Sequence, residues 1–320
     1  MTTETWPDLP LAEWAETRDT LHLWTQIVGK VRLTQTPWIN HSWHGTLYVT
    51  SRGLTTSLIP HGERQFAMTF DFVDHRLLVT TVEGDQTSIA LVPKSVATFY
   101  REVMKALDDL GLPVAIHTHP AEIAGGIPFP DDETHAAYDG EYARRFWRTL
   151  ASSHRVLQKF RSTFVGKASP VHFFWGSFDL SLTFFSGKRA KPSDMKMPHM
   201  PLWVSQEAST QEQAAFGFWP GNVGGPWPGP AFYAFGHPAP KDFAKTKVRS
   251  TAATFPEAMG EWVLPYDAVR NAKDPDAELL GFLADTYRGV ADPGKWRKRL
   301  VRTEKLPRKT RARKAKPPRG

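Results

Sequence analysis

The sequence predicts an α+β fold of two similar halves, each a helix, an antiparallel sheet and a second helix, followed by a disordered basic tail. Three observations lead there. Apolar residues at helical spacing between Leu11 and Leu33 give way to a succession of short, β-branched and aromatic runs of roughly alternating character. The same order of helix, strands and helix returns after Pro130. Finally, the charge is divided. Gly294 to Gly320 carries 13 Lys or Arg against the single Glu304, so under the overall +7 the rest holds 27 bases and 32 acids. The basicity belongs to the tail, and the body is mildly acidic.

A length of 320 residues suits one large domain or two ordinary ones. We place a first half at 1–125, a second at 126–292 forming one compact unit with it, and the tail at 293–320. The absence of cysteine excludes disulfides, thiolate nucleophiles and cysteine-ligated metals. A metal would have to be held by His, Asp or Glu. No apolar run reaches membrane-spanning length and the acidic start lacks a signal pattern, so a cytoplasmic protein without a membrane partner is expected.

In chain order, the turn Trp6-Pro-Asp-Leu-Pro10 precedes a helix from Leu11 to about Leu33, with Leu21, Trp24, Ile27 and Val31 on its stripe. Gly29 predicts an end or kink there. The runs HGTLYVTS, GLTTSLIP, RQFAMTFDF, HRLLVTTVE and TSIALVP, with short connections, predict an antiparallel meander. Ser95 caps a helix whose Phe99, Val103, Leu107 and Leu110 share a face, closed by Gly111 and Pro113. A short strand is expected in VAIHTHP. A long helix then starts after Pro130, capped by Asp131 or Asp132, with a break near Asp139-Gly140, and runs to Phe164. Further strands are expected at Ser169–Ala190, in PAFYAFG and in GEWVLP, and Asp274 and Pro275 open a last helix through Leu279, Leu283 and Tyr287.

Ser169–Ala190 is the hub of the second half. Beyond Gly176, Phe178, Leu180 and Leu182 share one face, and Ser177, Asp179, Ser181 and Thr183 the opposite one. Val28-Gly-Lys30 followed by His41-Ser-Trp-His-Gly45 matches Val165-Gly-Lys167 followed by His172-Phe-Phe-Trp-Gly176. The match is short, and either an internal duplication or chance accounts for it.

Six segments carry a resemblance: Trp6–Pro10, Thr20–Lys30, Gly53–Thr56 with Ile59-Pro60, Ser169–Leu180, Gly217–Gly221 and Leu264–Arg270. In this order they resemble a family of uncharacterised bacterial proteins catalogued as a domain of unknown function, over Trp6 to about Tyr287. The resemblance implies no activity, cofactor or catalytic residue. The family pattern has a His-Glu pair before the GFWPG segment, where this chain has Gln211 and Glu212. The tail looks like an extension beyond the family region.

Two clusters and one groove are candidates for chemistry. His117 and His119, two apart, point to one side of an extended segment, and with Glu122 and His135 they could begin a His/carboxylate metal site. The bland alternatives are satisfied edge histidines and acidic residues that stabilise a helix start. His172, Trp175, Trp219 and Glu212 could line a ligand groove between the halves, against the alternative of an aromatic core sheet. Gly221–Pro226 lacks the helix a phosphate loop needs, and Ser193-x-x-Lys196 lacks companion motifs. The expected function is therefore a small-molecule-binding or enzymatic domain with its site between the halves. The alternative is a non-catalytic interaction protein whose tail makes weak, non-specific contacts with nucleic acid.

Overall fold

The computed structural model describes residues 4–297 together with 300 and 301. Helix α1 (Leu11–Gln35) is its axis, with every residue from Thr20 to Arg32 buried. A helix buried all round lies inside a core, not on its surface. Gly29 neither ends nor kinks it. Instead the indole of Trp175 packs on the bare Cα, and a Cβ there would lie 2.2 Å from Trp175 Cδ1. Gly29→Ala is expected to lose about 1–2 kcal/mol in urea unfolding. Overpacking this close costs about 2–3 kcal/mol, and helix propensity returns about 1 kcal/mol. Unchanged stability would show that the indole moves aside freely.

The meander follows a 3-10 turn (Asn40–Gly45), as strands β1 (Tyr48–Val49), β2 (Gly53–Thr55), β3 (Ile59–His61), β4 (Arg64–Asp71), β5 (Arg76–Thr81) and β6 (Gln86–Ala90). Their order is β1-β2-β4-β5-β6, with β3 pairing the other end of β4. Alternation gives Phe66, Met68, Phe70, Leu77 and Val79 to the core. Helix α2 (Val96–Asp109) covers them, its Ser95 cap accepting from Thr98 N at 3.1 Å. Its Phe99 stacks on Trp24 with ring centres 4.6 Å apart.

Two expectations for the connector are corrected. No strand pairing occurs over 113–120, which is irregular. The next long helix, α3 (Gly140–Arg161), starts only at the foreseen Asp139-Gly140 break, where Asp139 accepts from Glu141 N at 2.8 Å and Tyr142 N at 3.0 Å. Asp132 caps no helix of its own because it is engaged elsewhere. Buried, it accepts from Thr134 N and His135 N, while the carbonyls of Asp132 and His135 accept from Ala97 N and Val96 N. This segment therefore satisfies the first turn of α2.

The second sheet is built from β7 (His172–Phe174), β8 (Asp179–Arg189), β9 (Gln211–Trp219), β10 (Ala231–His237) and β11 (Trp262–Pro265), in the order β11-β10-β9-β8-β7 and antiparallel throughout. A short helix α4 (Leu202–Ala208) precedes β9, and a 3-10 turn (Phe243–Lys245) precedes β11. Helices α5 (Tyr266–Arg270) and α6 (Pro275–Ala291) follow, and Asp274 caps α6 through Ala277 N. The inner face packs on α3, where Phe160 meets Phe184 and Phe216 at 5.2 Å each.

One continuous core takes in both halves. Leu47 and Phe173 exchange backbone hydrogen bonds of 2.9 and 2.7 Å, joining the sheets at β1 and β7. The short matches do not reproduce a repeated structure. Val28–Lys30 lies inside α1 whereas Val165–Lys167 follows α3, and His41–Gly45 is a 3-10 turn whereas His172–Phe174 is strand. The chain remains packed at Trp296, and Val165 N donates to Leu300 O at 2.8 Å. The rest of the basic tail, from 302, lies outside the described residues. No helix among the described residues is long and apolar enough to cross a membrane.

Candidate functional site

The second sheet has two covered faces. Phe178, Leu180 and Leu182 enter the core, and the face read as polar lines a cavity of about 1450 Å³. Ser181, Thr183, Ala215 and Tyr233 form its floor, and Trp43, Trp175, Trp219 and Trp227 stand in its walls. Met195 and Met197 of the segment leading into α4 also line it, with Trp203 of α4 itself, a helix with no buried residue. Trp43 and Lys30 come from the first half, Tyr233 and Trp219 from the second.

Three carboxylates share this cavity: Glu122, Asp179 and Glu261. Asp179 is buried on β8, and its oxygens accept hydrogen bonds from the Ser177 and Tyr233 hydroxyls. Burial pushes its carboxyl up, against the opposing pull of those two donors. Burial, and then the charge of Asp179, raises Glu122 from 4.5 to about 7, and Glu261 likewise to about 7. Asp179 is thus the common neighbour. The Glu122 and Glu261 side chains make no hydrogen bond or ion pair among the described residues. Such groups exchange protons at neutral pH.

Glycines make this arrangement fit. Glu122 packs on Gly176, where a Cβ would lie 2.2 Å from its Oε1. The Tyr233 ring crosses Gly217 on β9, where a Cβ would lie 2.4 Å from the phenol oxygen. Helix α1 does the rest through His22, Gln26 and Lys30, spaced four apart and so on one face. The Gln26 amide brackets Ala121, accepting from its N–H at 2.7 Å and donating to its carbonyl at 3.0 Å. Lys30 Nζ donates to His119 O at 2.7 Å, and burial lowers its ammonium to about 8. His22 Nε2 donates to Gly176 O at 2.9 Å and stays neutral, since burial and then Arg18 lower it to about 3. The residue before Glu122 and the glycine beneath it therefore hang from one buried helix face.

Of the residues singled out in the sequence, Trp175, Trp219, His117 and Glu122 line the cavity. Trp175 Nε1 donates to Gly45 O at 2.5 Å, which fixes its ring. His172 lies on the same side of the sheet as the cavity-lining Phe174 but is fully buried, with Trp43 edge-on at 6.3 Å and neither ring nitrogen hydrogen-bonded. Burial and then Arg32 lower it to about 3, so it is neutral. Glu212 faces away, accepting from Ser186 Oγ at 2.9 Å. His119 sits between the rings of His117 and His199, at 5.4 and 5.2 Å. His135 is held apart from them by Asp132 at 2.8 Å. Among the described residues, no group of three or more His, Asp or Glu is placed to hold a metal ion. Sequence reading did not single out Tyr233, Glu261, His22, Gln26 or Lys30. The signal for the last three was polar residues at a spacing of four along one face of α1.

No curated protein and no solved structure matches the chain. The model of a family of unknown function (DUF5996) matches residues 6–303, and the chain belongs to that family.

Proposed function

We propose that this member of a family without an assigned activity binds a small molecule in the cavity between its halves and performs acid–base chemistry on it. The observation that carries the reading is the Glu122 carboxyl, facing an aromatic-walled cavity without a protein partner and raised to about 7. A cavity of mostly apolar lining with a few polar groups of shifted pKa is the usual form of an enzyme site. Glu122 is the proton donor and acceptor, and burial, helped by the charge of Asp179 that Ser177 and Tyr233 fix, brings it near neutrality.

The test is a metabolite panel screened by ligand-induced thermal shift, with hits followed by NMR for conversion. Hits are expected for the wild type and not for Thr183→Trp, which fills the cavity from its floor. Glu122→Gln is expected to keep binding and lose conversion. A panel without hits overturns the site, and binding without conversion by the wild type overturns the chemistry.

A further inference from the structure

The walls and the charge of the cavity together select a ligand class. We propose that it takes an organic cation, an ammonium group on an apolar or aromatic body, with Asp179 and its neighbours Glu122 and Glu261 as counter-charge. This rests on the reading of the cavity as a small-molecule site.

Charge comes first. No Lys or Arg forms an ion pair with any of the three carboxylates among the described residues. The one lysine placed nearby on α1, Lys30, has its ammonium on His119 O and over the Phe129 ring at 5.8 Å. The carboxylates repel one another and none is ion-paired, the Lys30 ammonium in the same lining being committed to His119 O, so a positive ligand gains from all of them, whereas an anion is disfavoured. A neutral polyol could hydrogen-bond but would leave the repulsion in place.

Geometry then separates kinds of cation. A metal ion needs oxygens converging at about 2.0–2.6 Å, and these side chains do not form such a group. They line a cavity of about 1450 Å³, far larger than a bare ion requires. The same cavity is lined by Trp43, Trp175, Trp219 and Trp227. Indole faces attract an ammonium group and also cover an apolar body. The Tyr233 hydroxyl donates to Asp179 and holds that carboxylate in place beside the sheet, as counter-ion to the incoming group.

Calorimetric titration of the full chain at pH 7.5 with tryptamine, indole-3-ethanol and indole-3-acetate tests the proposal, since the three share a ring and differ in charge. Tryptamine is expected to bind about tenfold or more tightly than the alcohol, and the acetate most weakly. In Asp179→Asn, which keeps the shape and the acceptor for Tyr233, the preference is expected to fall to about twofold. Glu261→Gln, whose side chain makes no hydrogen bond or ion pair, serves if that variant fails to fold, with a smaller loss in the same direction. Equal binding of amine and alcohol, or tighter binding of the acetate, with Thr183→Trp abolishing it, overturns the cation and leaves the cavity reading standing. Failure of all three probes at millimolar concentration while the metabolite panel yields hits also overturns the cation alone. Failure of probes and panel together overturns both.

Discussion

Glu122→Gln is expected to stabilise the folded protein at pH 8 by about 2–3 kcal/mol and to change it by less than about 0.5 kcal/mol at pH 4.5. The carboxyl titrates at about 7 in the folded chain against an ordinary 4.5, so the folded state binds a proton that the unfolded state has released. Folded-state stability is therefore complete below about 4.5 and is lost as pH rises towards 7. A shift of that size corresponds to about 3 kcal/mol, reduced here because the residue is only partly buried. Glutamine has no charge to desolvate and removes the penalty. Urea unfolding at pH 4.5, 6 and 8 reads the effect. A variant less stable than the wild type at pH 8 would mean that the carboxylate has a favourable partner, and the acid–base role would go with it. Retaining so costly a group is what a functional site does at the expense of stability.

Gly217→Ala is expected to have the largest effect of any single methyl group in the site, about 3 kcal/mol of destabilisation, at the upper end for overpacking. The added Cβ would lie 2.2 Å from Leu180 O and 2.4 Å from the Tyr233 ring. Gly217 is paired with Ser181 on one side and Tyr233 on the other, so β9 has no direction in which to retreat. The contrast with Gly29→Ala is the point. There the obstacle is a side chain beside a cavity, and here half of it is backbone. Combining Gly217→Ala with Tyr233→Ala should recover only part of the loss in urea unfolding. Full recovery would assign the whole cost to the ring and remove the close strand approach from the account.

Local chemistry explains what could be read from the sequence. Ser95, Asp274 and the alternating runs of the meander act within a few residues, and the structure has them where they were expected. Strand β9 escaped because its central residues are buried on both faces, so Ala214 to Phe218 reads as a continuous apolar run. The reason for that burial is the cavity's own wall. The same cause misdirected Asp179: alternation separates two faces of a strand but does not say what covers the second one. Glu122 was singled out as a metal ligand beside His135, yet its neighbours are Gly176 and Asp179, distant in sequence and brought to it by α1. Asp132 has the local spacing of a cap, and its side chain does accept from Thr134 N and His135 N, but its carbonyl serves Ala97 N, some 35 residues earlier in the chain, and no helix follows.

The burial of α1 on every side has a consequence for how the chain is made. Trp6, just ahead of that helix, packs on Phe232 and Tyr266, and the Tyr266 hydroxyl donates to Pro7 O at 2.7 Å. Helix α1 therefore leaves the ribosome before the strands that complete its surroundings, β7 to β11, have been synthesised. Its apolar surface must wait while the second half is made. A topology so rich in distant contacts folds slowly. The two halves are successive in sequence but neither can bury its apolar surface without the other.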